Sequence, residues 1–385
     1  MKGKLTAALV AGAFVLNAFG AVFADTNNKK VKQTNTLAAL LPESDGVLTI
    51  DMQRVLSEAA PQILSGKPLL LADLNVKIDE IREKTGLDLR QFEQVAVGVA
   101  AKQISDKEID LEPLFLVRGK YNANALIALA KLASKGKYRE EKIGARSVYI
   151  FSGKEIAEQQ GDKVLVTGIS PQNAAPKKNS WFDKAIERMI NRLAREIAVT
   201  SYDSNTLAFG SLARVRETVE TRTRINADLL NSINRKPNAI AAFVANLPNG
   251  LSNLIDLDND EFGMTLDSIR QTSGAMELIN GDTAVSLTAK TAKADQAQKL
   301  QEMLQGLQLL GKTLLGSSKG ADKQVYSRLI DNAKITRSQS EVLMDLTVPQ
   351  SDIDILLNLG GAKAGKVSLS LQIPPPAINI LPDAK

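Results

Sequence analysis

The chain contains no cysteine and no histidine. That double absence excludes thiol nucleophiles, Ser-His-Asp triads, zinc sites built on His or Cys, and disulfides. Aromatic residues are also scarce, at 4%. The cores are therefore expected to be aliphatic, and aromatics are too few to supply stacking platforms for nucleic acid. Charge of one sign is weak: the formal net charge is +5. Discounting Lys2 and Lys4 leaves about +3, too little to imply a polyanion partner. Beyond the first two dozen residues, no apolar run reaches membrane-spanning length.

What is present begins with a leader. Lys2 and Lys4 precede an apolar stretch from Leu5 to Phe19, and Val22 and Ala24 occupy the −3 and −1 positions before Asp25. This is the pattern of a cleaved secretory signal peptide over 1–24. Retention as an N-terminal anchor is the competing reading, and Gly, Ala and Asn17 weaken the run as a permanent span. The expected location is exported, periplasmic or extracellular. Residues 25–36 (DTNNKKVKQTNT) read as a polar arm.

The stretch Gly46 to Leu64 reads as a short strand running into an amphipathic helix, with Asp51 as N-cap. The same step recurs at Leu114–Ala133, Thr206–Val219, Ala239–Ile255, Ala284–Leu310 and Val342–Leu357. Written in order, both halves run β-α-α-β-β-α-β-β-α, which argues for an internal duplication. The expected fold class is α+β: two tandem related modules, each a mainly antiparallel sheet with helices packed on one face. The first module spans 37–224, with an insertion near 152–200. A linker covers 225–237, the second module 238–373, and a Pro-rich tail 374–385. In detail, Ser105–Glu112 reads as a charged turn and Leu266–Gln271 as helical. Asn280-Gly281-Asp282 reads as a hairpin turn, and Gly86 and Gly136 as helix stops.

The phrases LPESDGVLTIDMQRVL and TGLDLRQFEQVAVGVA, together with the leader, resemble exported bacterial proteins built from tandem ferredoxin-like or similar α+β modules. That resemblance implies no activity and supplies no functional residues.

Few motifs carry chemistry. Asp256, Asp258, Asp260 and Asp267 fall at positions 1, 3, 5 and 12 of an EF-hand-like calcium loop. Glu261 stands where that loop needs glycine, so a solvated acidic linker is the plainer reading. Gly306 to Thr313 matches G-x4-G-K-[ST] literally but falls at the end of a helix, with Gly311 read as a cap. Ser134 and Lys137 have S-x-x-K spacing at another helix end. Trp181–Ile197 forms an amphipathic helix. Phe182, Ile186, Met189, Ile190 and Leu193 share one face, and Lys184, Arg188, Arg192 and Arg195 lie largely on the other. It offers membrane contact, as does the leader, or merely a solvated basic face. No residue qualifies as catalytic and no cofactor is required.

The expected function is a non-enzymatic binding or structural component of the envelope or extracellular space. Its partner would be an envelope protein, a polymer or an apolar ligand, with no nucleic acid. A carrier enclosing an apolar ligand between helices and sheet is the alternative, and a carboxylate-based enzyme a third. The carrier predicts a large apolar pocket, the scaffold a filled core with an exposed patch.

Overall fold

The computed structural model describes residues 36–363 apart from 106–107, 153–180, 221–222, 251, 253–260 and 317–319. The leader, most of the arm, the insertion loop and the Pro-rich tail lie outside the described residues.

Local chemistry sets the elements. Strand β1 (Gly46–Asp51) ends where the Asp51 carboxylate accepts from the Arg54 N–H at 2.9 Å. That cap starts helix α1, composed of Met52–Arg54, a π-turn Val55–Ala59 and Ala60–Ile63. The wide turn has a local cause. Pro61 has no N–H and its ring collides with the carbonyl four residues back, so the chain widens and Ala60 donates to the Val55 carbonyl. Helix α2 (Pro68–Thr85) opens on proline and closes on Gly86, at φ 73°.

Strands β2 (Phe92–Ser105) and β3 (Glu108–Gly119) make a long hairpin. The charged Ser105–Glu112 segment, expected as a turn, is thus mostly strand. Helix α3 (Ala123–Ala133) is capped by Asn122, whose side chain accepts from Ala125 at 3.0 Å. Strands β4 (Tyr138–Ile143) and β5 (Arg146–Phe151), helix α4 (Trp181–Arg195), strands β6 (Ile197–Asp203) and β7 (Thr206–Gly210) and helix α5 (Leu212–Glu220) follow.

The expected linker is instead a core element. Helix α6 (Ala227–Ile233) buries Leu229 and Ile233, and Ile225 just before it is buried too. Then come β8 (Ala241–Asn246), α7 (Glu261–Asp267), β9 (Ile269–Ile279) and β10 (Asp282–Thr291). The expected Leu266–Gln271 helix is therefore wrong from Ile269 onward. The β9–β10 turn is Asn280-Gly281, at φ 54° and 89°, as a tight two-residue hairpin demands. Helices α8 (Ala294–Gly316) and α9 (Ala321–Asn332), strands β11 (Lys334–Ser338) and β12 (Glu341–Val348) and helix α10 (Gln350–Lys363) complete the chain.

All twelve strands form one antiparallel sheet in the order β11-β12-β10-β9-β8-β1-β2-β3-β7-β6-β5-β4. The halves do not have separate sheets: β1 pairs with β8 from Gly46↔Ala245 to Ile50↔Ala241. Outward from that junction the order is β1-β2-β3-β7-β6 one way and β8-β9-β10-β12-β11 the other. The outermost strands β4 and β11 carry Arg139, Glu140, Lys334 and Arg337, charges that discourage further pairing.

Helices cover both faces, not one. On the first face, α5 and α6 pack with Val47, Leu114, Leu116, Ala198 and Val244 in the largest core. Arg214 of α5, 3% exposed, fastens this layer to the entering chain through the Glu43 carbonyl at 2.7 Å and Ser44 Oγ at 2.8 Å. On the second face, α1 and α2 pack around Ile50 and Met276. There too, α8 packs around Ala289, Val342 and Ile335, and α9 and α10 around Leu346 and Val348.

Candidate functional site

Directly opposed residues of antiparallel strands project to the same face. Following the register across the second face gives one unbroken line. Phe209 lies opposite Phe115, Phe115 opposite Val97, Val97 opposite Leu48, and Leu48 opposite Phe243. The line runs on through Gly274, Leu287, Met344 and Ile335 on one side. On the other it reaches Val199 and Tyr149.

This row is apolar but incompletely covered. Phe209, Phe115, Leu48 and Phe243 are each half-buried, and Val97 is 9% exposed. None of these five side chains belongs to the four core clusters. The Phe115 and Phe209 rings stack with centroids 4.9 Å apart and planes 6° from parallel. The Phe243 ring lies across Gly274, where an added Cβ would overlap it. Beside the row, the nearest atoms an added Cβ on Gly46 would meet belong to its own sheet neighbours, Val99, Val244 and Ala245. From Phe209 to Phe243 the row crosses five strands, roughly 19 Å at the usual ~4.8 Å spacing.

Helices border the row. The α1–α2 pair sits one residue step along the face, over Ile50 and Met276, while α8 sits over Ala289 and Val342. Helix α3 closes one end, its Lys131 Nζ 3.6 Å from the Tyr149 ring centroid. These helices expose apolar side chains as well: Leu69 and Leu70 on α2, Leu129 and Leu132 on α3, Leu309, Leu310 and Leu314 on α8. The two best-formed depressions open on solvent: about 430 Å³ beside Glu261, Phe262, Lys299 and Met303, and about 250 Å³ beside Lys137, Tyr138, Arg195 and Glu196.

Among the described residues, those singled out in the sequence do not converge on a site. Asp267 accepts from the Ser252 N–H at 2.8 Å and from its hydroxyl at 2.6 Å, as a cap does. Asp256, Asp258 and Asp260 lie outside the described residues. Among the described residues, no group of His, Cys, Asp and Glu could hold a metal ion. Gly311 is no cap: α8 runs on to Gly316, and Gly311 admits the Ile330 side chain of α9, whose Cδ1 lies 2.9 Å from where its Cβ would stand. Lys312 pairs with Asp331 at 3.0 Å. The buried Ser134 donates to the Lys131 carbonyl at 2.9 Å, finishing α3.

The basic helix is turned inward. Arg188 donates to the Ile109 carbonyl at 2.8 Å and pairs with Glu108, and Arg192 pairs with Asp110 and Glu112, all on β3. Arg195 stays exposed. Asp51 is the described carboxyl whose pKa is raised. Burial raises the Asp51 carboxyl above the usual carboxylate range, against the Arg54 amide and guanidinium, which lower it. Asp51 caps α1 and Glu58 pairs with Arg54 at 2.8 Å, so both acids have structural employment.

No helix among the described residues is long and apolar enough to cross a membrane. No family model matches the chain, so none supports the tandem ferredoxin-like resemblance, and no curated protein matches it. Crystal form III of TP0453 aligns over 84% of this chain and 97% of its own, at 9% identity and a TM-score of 0.38. Crystal form IV aligns over 83% and 95%, at 9% identity and a TM-score of 0.39.

Proposed function

We propose that this chain is an exported, non-enzymatic binding protein that holds an elongated apolar ligand along the second face of its sheet. The observation that carries the reading is the half-buried row from Phe209 to Phe243. Apolar side chains in line, bordered by helices yet outside every core cluster, are favourable surface for a ligand to cover. An open groove suits a ligand laid along it better than one sealed inside. The leader pattern over 1–24 supports export. The matching strand order on the two sides of β1 and β8 supports the duplication reading. The scaffold reading draws on a different observation, the exposed leucines of α2 and α8, which suit a protein partner.

The test is native mass spectrometry of protein purified gently from its own host, beside the Phe115→Glu variant. A non-covalent excess mass, lost on unfolding and absent from the folded variant, is the expected result. A bare wild-type chain refutes the ligand, and a co-purifying protein subunit transfers the case to the scaffold.

A further inference from the structure

The described arginines withdrawn from solvent are of two kinds. Arg54, Arg188, Arg192 and Arg214 each reach a carboxylate: Glu58, Glu108, Asp110 and Glu217 respectively. Arg118, Arg146 and Arg224 are half-buried and reach none among the described residues.

Arg146 and Arg224 meet at one tyrosine, and Arg118 stands two strands from it. Arg146, at the start of β5, places its guanidinium 4.7 Å from the Tyr202 ring centroid. Arg224 donates to the Tyr202 hydroxyl at 3.4 Å and to the Leu40 carbonyl at 3.1 Å. Arg118 on β3 donates to Thr206 Oγ1 at 3.2 Å and Thr36 Oγ1 at 3.4 Å. Along their strands Arg118 alternates in step with Leu114 and Leu116, and Arg146 with Val148 and Ile150. Both therefore project to the first face, opposite the apolar row. Asp203, next to Tyr202 in sequence, accepts from the Asn205 N–H in the β6–β7 turn, and Glu141 pairs with Arg216.

Two cations on one tyrosine repel one another where water is partly excluded. Arg146 Nη1 is moreover buried without an acceptor. A guanidinium presents a planar fork of donors, and the fork matches the paired oxygens of phosphate. We propose that Arg146 and Arg224, both held on Tyr202, form an anion site for a phosphate group, with Arg118 on the same face as an outlying charge. The hydroxyls of Thr36 and Thr206 stand beside Arg118. Lying on the opposite face, the site is independent of the apolar row and stands or falls without it.

The experiment is calorimetric titration of the full chain with inorganic phosphate against chloride at equal ionic strength. In parallel, sedimentation is measured with phosphatidylcholine vesicles with and without phosphatidylglycerol. Saturable binding is expected, weakened by about tenfold or more in Arg146→Gln and in Arg224→Gln, the scale of losing one charged hydrogen-bonding partner. The exposed Arg337→Gln on β11 should bind as wild type. Melting curves identify any variant that fails to fold, and the other Gln variant then decides. Binding of free phosphate assigns a soluble source, and binding only of phosphatidylglycerol vesicles assigns a headgroup. No saturable binding in either arm, or wild-type affinity in the folded Gln variants, overturns the site.

Discussion

Phe243 rests on Gly274, and replacing that glycine with alanine measures how firmly. The added methyl would overlap the Phe243 ring and approach Leu287 Cδ2 to 2.7 Å. A ring held in a row cannot swing away as a flexible chain end can, so the change overpacks the sheet, at a cost of about 1–3 kcal/mol. Alanine in a strand recovers about 0.5–1 kcal/mol of unfolded-chain entropy. The net expectation for Gly274→Ala is a loss of about 0.5–2 kcal/mol, read as a lower urea midpoint at unchanged slope. Gly306→Ala is the control. It stands in α8 with nothing within 4 Å of its Cβ position, and should gain about 0.8–1 kcal/mol. Shortening the ring position with Phe243→Leu should recover most of the loss in the Gly274→Ala background, a strongly non-additive pair. If Gly274→Ala matches wild type and the two changes simply add, Phe243 does not lie on Gly274 and the row is broken at β8–β9.

Two acids should move stability with pH in opposite senses. Burial holds the Asp51 pKa above its unfolded value, so the folded state binds its proton more tightly. Stability therefore falls as pH rises from 3.8 through the raised value, and Asp51→Asn, which keeps a capping oxygen, should remove that slope in denaturation series between pH 3 and about 8. Glu341 is the reverse case. Hydrogen bonds from Arg235, at 2.7 and 2.8 Å, lower its pKa, so its contribution is present above 4.5 and lost as pH falls through the lowered value. Glu341→Gln should flatten the acid limb, and an unchanged limb would mean that the pair is broken in solution.

Elements with a local cause were legible in the sequence. Asp51 announces the start of α1, Gly86 the end of α2, and Asn280-Gly281 the β9–β10 hairpin, because each acts on its own neighbours. Elements settled by distant partners were not. Glu108, Asp110 and Glu112 look like a turn until Arg188 and Arg192 of α4 neutralise them on β3. Residues 225–237 look polar by composition. Yet Ile225, Leu229 and Ile233 recur every four residues, a stripe that does signal a buried helix. Val325 and Leu329 give the same signal for α9. The apolar row left no such trace. Each strand contributes one residue to it, and only the register decides that Phe209, Phe115, Val97, Leu48 and Phe243 stand in line. The arginine pair is equally non-local, since Arg146 and Arg224 come from separate segments.

The pairing of β1 with β8 also fixes an order of events during synthesis. Strand β1 is among the first folded segments to be made, but its second neighbour is Ala241–Asn246, nearly two hundred positions later (Thr49 lies opposite Ala242, a separation of 193). Until then β1 offers bare amides and carbonyls flanked by Val47, Leu48 and Ile50, an adhesive rim open to any passing strand. The nascent first half is thus the moment of greatest exposure to misassembly, and arrival of β8 ends it.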